Sequence, residues 1–201
     1  MTDKIHSVYN GQAIPPIHFA CADDSMRPVL EHVYLTREHI VATNSSIVVV
    51  HKTEEVFSEE FIEGFPDEPF LIYRTFWAEM SSNKVSYLIW ENGNIVINYR
   101  KKAPDGLVRP VVDGGDEGKY PNWQAVIPDD DRTVLGLTEI GLNPDYLVLT
   151  QKAFGLPKNS GLYFSFDESN TATIITHDIE GVWPSAKAII MPLVPKKVKG
   201  K

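Results

Sequence analysis

Six histidines, one cysteine and 27 acidic residues are the side chains with which this sequence could do chemistry. His6, His18, His32, His39, His51 and His177 include no pair at the i, i+4 spacing that sets a zinc ion on one helix face. Cys21 stands alone, which rules out a disulfide within the chain and an all-cysteine metal site. Asp129-Asp130-Asp131 resembles a divalent-cation cluster, but it follows Pro128 at the end of an apolar run and reads as an acidic turn. Asp113 to Gly118 lacks the spacing and the closing glutamate of a calcium loop. No phosphate-binding glycine pattern and no nucleophile elbow occurs. The expectation is a non-catalytic protein with neither metal nor cofactor.

The elements that would position these side chains are mostly strands. Val29 to Leu35, Ile40 to Thr43 and Ile47 to Lys52 are dense in Val and Ile and separated by short polar turns. A short helix over Ile17 to Ala22 precedes them. The acidic stretch after Lys52, with Gly64 and Pro66, reads as a linker or long loop. Phe70 to Tyr73 is a strand, followed by a helix from Thr75 to Ser81 with Thr75 as N-cap. Lys84 to Trp90 and Asn94 to Tyr99 form a hairpin across Asn92-Gly93, and Leu107 to Val112 follows as a strand. The order then recurs. Glu139 to Leu142 is a strand, Asn143 and Pro144 open a helix, and Gly155 stops it. Leu162 to Phe166, Thr171 to Thr176 and Ala186 to Leu193 complete the unit. Alternation predicts that Leu162, Phe164 and Phe166 share a buried face, as do Val85, Tyr87 and Ile89.

Two strand-helix-strand-strand-strand units, residues 68–128 and 137–195, thus follow a first one over 1–53 with a truncated helix. Residues 54–67 and 129–136 are acidic connections, and 196–201 a basic tail. The fold class expected is α+β, with repeated β-α-β-β-β units, antiparallel sheets and helices on one side.

The chain has 201 residues, 19 basic against 27 acidic, for a formal net charge of -8 at pH 7. A domain holding nucleic acid by general surface charge would be basic, because affinity comes largely from neutralised phosphates. No apolar run approaches the roughly 20 residues of a membrane span, and MTDKIHSVYN is not built as a signal peptide. A soluble cytoplasmic protein is expected.

Two segments stand out. Gly118-Lys119-Tyr120-Pro121-Asn122-Trp123 is an aromatic-proline knot before an apolar strand, Ala125-Val126-Ile127-Pro128, and Ala188 to Leu193 closes the third unit. Together with Ser25 to Leu35 and Ile40-Val41-Ala42-Thr43-Asn44, they resemble the bacterial sliding clamp, the β subunit of DNA polymerase III. Glu139 to Asn143, Leu162 to Phe166 and Met191-Pro192 resemble the family's last half-domain. The match covers most of residues 13–195. It departs from the family in having three half-domains rather than six, Asn44 for the usual aspartate, and Ser45-Ser46-Ile47 for Gly-His-Arg. The chain reads as a shortened or diverged relative.

The resemblance implies a processivity factor of replication or repair, a homo-oligomeric ring that tethers polymerases or other proteins. Partner peptides would enter a pocket at Thr43, Ser45, Ser46, Ile47, Pro128, Ile189, Met191, Pro192 and Leu193. The rival reading of Ile189 and Met191 is core of an edge strand. Arg27 matches a position near the duplex in the family. Arg74, Lys152 and Lys158 flank the two clear helices and complete the DNA-contact candidates, against ordinary solvated charge. The Thr75 to Ser81 helix has almost no basic face, which argues against encircled DNA. The alternative function is an interaction module of the same fold that binds peptides without closing a ring. An enzyme on another fold is the third possibility.

Overall fold

Runs of β-branched residues build the centre of the molecule. His39–Thr43 (β3) and Ile47–Lys52 (β4) form an antiparallel hairpin, with His32–Leu35 (β2) beside β3. The computed structural model describes residues 5–7, 14–23, 26–101, 106–112, 118–127, 140–166, 173–177, 179 and 183–193. Beyond β2 lie Phe70–Tyr73 (β5) and Val111–Val112 (β9). Beyond β4 lie Lys187–Ile190 (β12), Thr173–Thr176 (β11) and Tyr163–Phe166 (β10), giving an eight-stranded sheet in the order β10-β11-β12-β4-β3-β2-β5-β9. A second sheet joins Ile5–Ser7 (β1), Val85–Glu91 (β6), Asn94–Tyr99 (β7) and Gly106–Val108 (β8). Every pairing is antiparallel among the described strands.

Several expected elements take a different form. Val29 to Leu35 is not one strand: Pro28 opens a 3-10 turn over Pro28–Glu31, and β2 begins only at His32. Leu107 to Val112 is divided, its halves β8 and β9 lying in different sheets. The helix expected at Thr75 starts one residue earlier, as Arg74–Met80 (α3), with no side-chain cap. The apolar segment after Trp123 is a 3-10 turn, Trp123–Val126, rather than a strand. Between Lys52 and Phe70 the chain is not a loop. It forms two short helices, Thr53–Val56 (α1) and Glu59–Glu63 (α2), the second capped by the Ser58 hydroxyl. Phe57, Phe61 and Phe65 point inward while Glu54, Glu59, Glu60 and Glu63 face out, and the three rings pack on one another, Phe61 and Phe65 also on Trp90. Burying a side chain of that size is worth about 1.5–3 kcal/mol, which outweighs the acidic composition.

Register corrects the buried faces too. A bulge between Val85 and Tyr87 adds a residue to β6, so Leu88 and Trp90, not Tyr87, join the main core. Phe164 and Phe166 share a face as expected, yet that face is not closed over, and Phe164 keeps 38% of its surface. The Asn92-Gly93 turn is as read, both residues having positive φ (51° and 74°), the requirement of a two-residue hairpin loop.

One core runs from Ile14 to Ile190 on the helical face of the large sheet. The 3-10 turn Ile17–Ala20 sits between α3 and the helix Pro144–Ala153 (α4). The other face of β3 and β4 is covered by the aromatic-proline knot. Tyr120 stacks on Tyr34 at 4.7 Å, and Trp123 lies 5.2 Å from His39. The limits of α4 are those the sequence announces. The Asn143 side-chain oxygen accepts from the Asp145 N–H at 3.0 Å, and Gly155 takes φ +70° just past the end. Asn143→Ala is therefore expected to cost about 1 kcal/mol, read as a fall of roughly 2–4 °C in melting temperature.

Candidate functional site

The turn joining β3 to β4 is fixed by its own side chains. The Asn44 side-chain oxygen accepts from the N–H groups of Ser46 and Ile47, each at 3.0 Å. The Thr43 hydroxyl donates to the Ile47 carbonyl at 2.7 Å and accepts from the Ser45 N–H at 3.1 Å. Ser45, at φ +77°, is held in the left-handed region by these bonds. An amide oxygen is the only acceptor the turn uses at position 44, so asparagine suits it without a carboxylate.

β12 delivers the C-terminal segment to this turn. Its ladder with β4 places Ile189 opposite Val48 and Ile190 opposite Ile47. The Met191 N–H then donates to the Ser46 carbonyl at 3.2 Å, and the Leu193 N–H to the Gly141 carbonyl at 2.7 Å. The two readings of this segment divide between its residues: Ile189 is 1% exposed, whereas Met191 is 44% and Leu193 53% exposed. Thr43 and Ile47 are buried, Ser46 and Pro192 half-buried, and Ser45 exposed. Pro128 lies outside the described residues.

Ser46 also borders a cleft of about 600 Å3 that the sequence did not reveal. Phe19, Met26, Tyr146 and Leu149 give it apolar walls; Asn44 and an Arg74–Asp23 ion pair give it polar ones. Phe19 comes from the 3-10 turn, Tyr146 and Leu149 from α4, and Arg74 from the start of α3. No local spacing could have linked them. Cys21 lies in the wall, its thiol pushed up to about 12 by burial. His18, beside it, is held down to about 4, first by burial and then by the Arg74 guanidinium. Both are neutral at physiological pH. A wider depression of about 920 Å3, bordered by Lys84, Arg100 and Lys101, contains none of the residues singled out in the sequence.

The basic candidates are scattered in their roles. Arg74 bonds the Ala22 carbonyl at 3.0 Å as well as Asp23, so its charge is matched. Lys152 is exposed and sits 5.5 Å over the Phe19 ring. Arg27 and Lys158 are exposed, Arg27 at the head of the Pro28–Glu31 turn. Among the described residues, no three histidine, cysteine or acidic side chains gather as a metal site. No helix there is long and apolar enough to cross a membrane. The arrangement offers shape and apolar contact rather than reactive groups.

No family model and no curated protein sequence matches the chain. Solved structures do. The chain is similar to the DNA polymerase III beta chain of Streptococcus pneumoniae at 16% identity and a TM-score of 0.58, over 88% of this chain and 60% of that one. It is similar to the Helicobacter pylori beta clamp in complex with 3,4-difluorobenzamide at 11% identity and a TM-score of 0.59, over 97% and 68%. A Bartonella birtlesii sliding clamp bound to griselimycin matches at 13% identity and a TM-score of 0.57, over 93% and 68%. The chain thus spans between 60% and 68% of the length of these clamps. Antiparallel sheets, helices on one face and this likeness agree: the chain is a divergent protein of the bacterial sliding-clamp fold.

Proposed function

We propose that this chain is a non-catalytic clamp-fold protein that recruits proteins of DNA replication or repair by holding a short peptide with closely spaced apolar side chains. One observation carries the reading. Ser46 lines the cleft and also accepts the Met191 N–H, so the segment expected to receive partners and the apolar cleft meet at one residue. Around that junction, Phe19, Met26, Met191 and Leu193 are all exposed. Methionines adapt to irregular ligand shapes, and a few apolar anchors in a preformed groove carry most of a peptide's affinity. The DNA-encircling form of the reading draws less support, since Arg74 is matched by Asp23 and α3 carries no further basic residue.

The test is titration of the full chain with a fluorescent peptide bearing two or three apolar residues in close succession. Met191→Lys is expected to weaken binding at least tenfold, because a charge would be buried without a partner under the peptide. Met191 is exposed in the free protein, so circular dichroism and melting temperature should stay at wild-type values. Unchanged affinity in a folded Met191→Lys variant would move the groove elsewhere.

A further inference from the structure

The open end of the β6–β7 hairpin gathers three cations. The Arg100 N–H donates to the Lys84 carbonyl at 2.8 Å, one step beyond the Val85–Tyr99 pair, so Lys84 and Arg100 face each other across the hairpin. Like charges set directly opposite on neighbouring strands are destabilising. Lys101 follows at once, and all three side chains are exposed. Arg37, Lys52 and Arg74 each have a carboxylate partner; among the described residues Lys84, Arg100 and Lys101 have none. The Arg100 guanidinium is already placed, its Nε donating to the Val85 carbonyl at 3.0 Å, which leaves both Nη groups for an outside acceptor. The three cations border the depression of about 920 Å3, with Asn83 and Tyr99 beside them. Its one carboxylate, Glu79, accepts from the Tyr99 hydroxyl. The lining therefore keeps a surplus of two positive charges, in a chain whose net charge is -8.

We propose that this depression receives a phosphorylated serine or threonine side chain of a partner protein. A phosphate monoester carries about -1.5 to -2 charges at pH 7 and three strong acceptor oxygens. It matches the surplus charge and the donors together, where a single carboxylate carries half that charge. Arg100 supplies a two-pronged donor for two of the oxygens, and Lys84 and Lys101 supply point charges. Two other anions suit the surface less. A nucleic-acid strand repeats its charge along its whole length and would run from three cations onto a chain of negative net charge. A small free phosphate compound needs a pocket that encloses most of it, whereas Asn83 and all three cations are exposed. A phosphate carried on a peptide needs only one anchored side chain, and the walls at Ala78 and Tyr99 can receive the chain beside it. The site shares no residue with the apolar cleft and stands whether or not that cleft binds peptides.

Isothermal titration of the full chain at low salt, with a peptide of one phosphoserine among alanines and glycines, should show saturable binding. The unphosphorylated peptide should bind roughly tenfold more weakly or worse, and glutamate in place of the phosphoserine should recover little of the loss. Arg100→Gln should weaken the phosphopeptide about tenfold, and Lys84→Gln or Lys101→Gln severalfold. Circular dichroism should stay at wild-type values in each, since the three side chains are exposed. Binding should weaken with added salt, and also as pH falls through about 6, where the phosphate loses its second charge. No binding of the phosphopeptide, equal affinity for the plain peptide, or indifference to Arg100→Gln in a folded protein would each overturn the proposal. So would inorganic phosphate or a nucleoside monophosphate binding as tightly as the phosphopeptide, or a single-stranded oligonucleotide displacing it at equal concentration, each of which would assign the cations to a different anion. Met191→Lys should bind the phosphopeptide normally, so failure of this site and failure of the peptide cleft are distinguishable.

Discussion

Trp77→Ala should lower the unfolding free energy by about 4–5 kcal/mol, near the upper end of aromatic truncations in a core. Trp77 is fully buried on α3, edge-on to Phe57, and its indole N–H donates to the Pro15 carbonyl at 2.8 Å. The ring thus ties α3, the α1 region and the segment leading into the Ile17–Ala20 turn. Truncation opens a cavity at their junction and removes one of the two donors to the Pro15 carbonyl, which keeps the Ile17 N–H at 2.8 Å. Small domains are stable by only about 5–15 kcal/mol, so Trp77→Phe belongs beside it as the milder probe. That variant keeps most of the packing, loses one hydrogen bond, and should cost about 0.5–1.5 kcal/mol. Urea unfolding followed by circular dichroism gives both values. A Trp77→Ala loss below 2 kcal/mol would mean that the surroundings collapse into the space.

Stability should also fall steeply in acid, and His51 should be a principal cause. His51 is wholly buried on the core side of β4, edge-on to Phe154 at 6.0 Å and to Trp183 at 5.9 Å. Neither ring nitrogen has a hydrogen-bond partner. Burial, and secondarily His177, lowers its pKa from 6.5 to about 3. Between those limits the unfolded chain takes up a proton that the folded chain refuses. The stabilisation is complete above the unfolded value and is lost as pH falls toward the folded one, at up to about 1.4 kcal/mol per pH unit. His51→Leu should flatten the urea midpoint against pH and make the variant more stable than wild type at pH 5. His18, lowered for the same reason to about 4, leaves a residual slope of the same sign. An identical slope in His51→Leu would place the acid-sensitive group elsewhere.

What could be read in the sequence was what local chemistry decides. Asn143-Pro144 and Gly155 fix α4 by capping and by a positive φ; Asn92-Gly93 fixes the β6–β7 turn. The α1–α2 segment was missed because acidic composition hid Phe57, Phe61 and Phe65, whose spacing of four is helical. The buried face of β6 was missed because a bulge, a property of strand pairing, inverts the alternation beyond it. The candidate site divides the same way. Family resemblance brought Ser46 and Met191 into one group, and the β12·β4 ladder does set them side by side. Phe19, Met26, Tyr146 and Leu149 carry no shared motif, since tertiary packing alone assembles the cleft wall.

Cys21 gives that wall a built-in reporter. The sole thiol of the chain is sealed into the cleft lining and held protonated by its burial. Reagents that attack thiolates can reach it only in moments when the wall parts from the core. Its labelling rate therefore counts local openings of the cleft, without any engineered probe, on a molecule otherwise left folded.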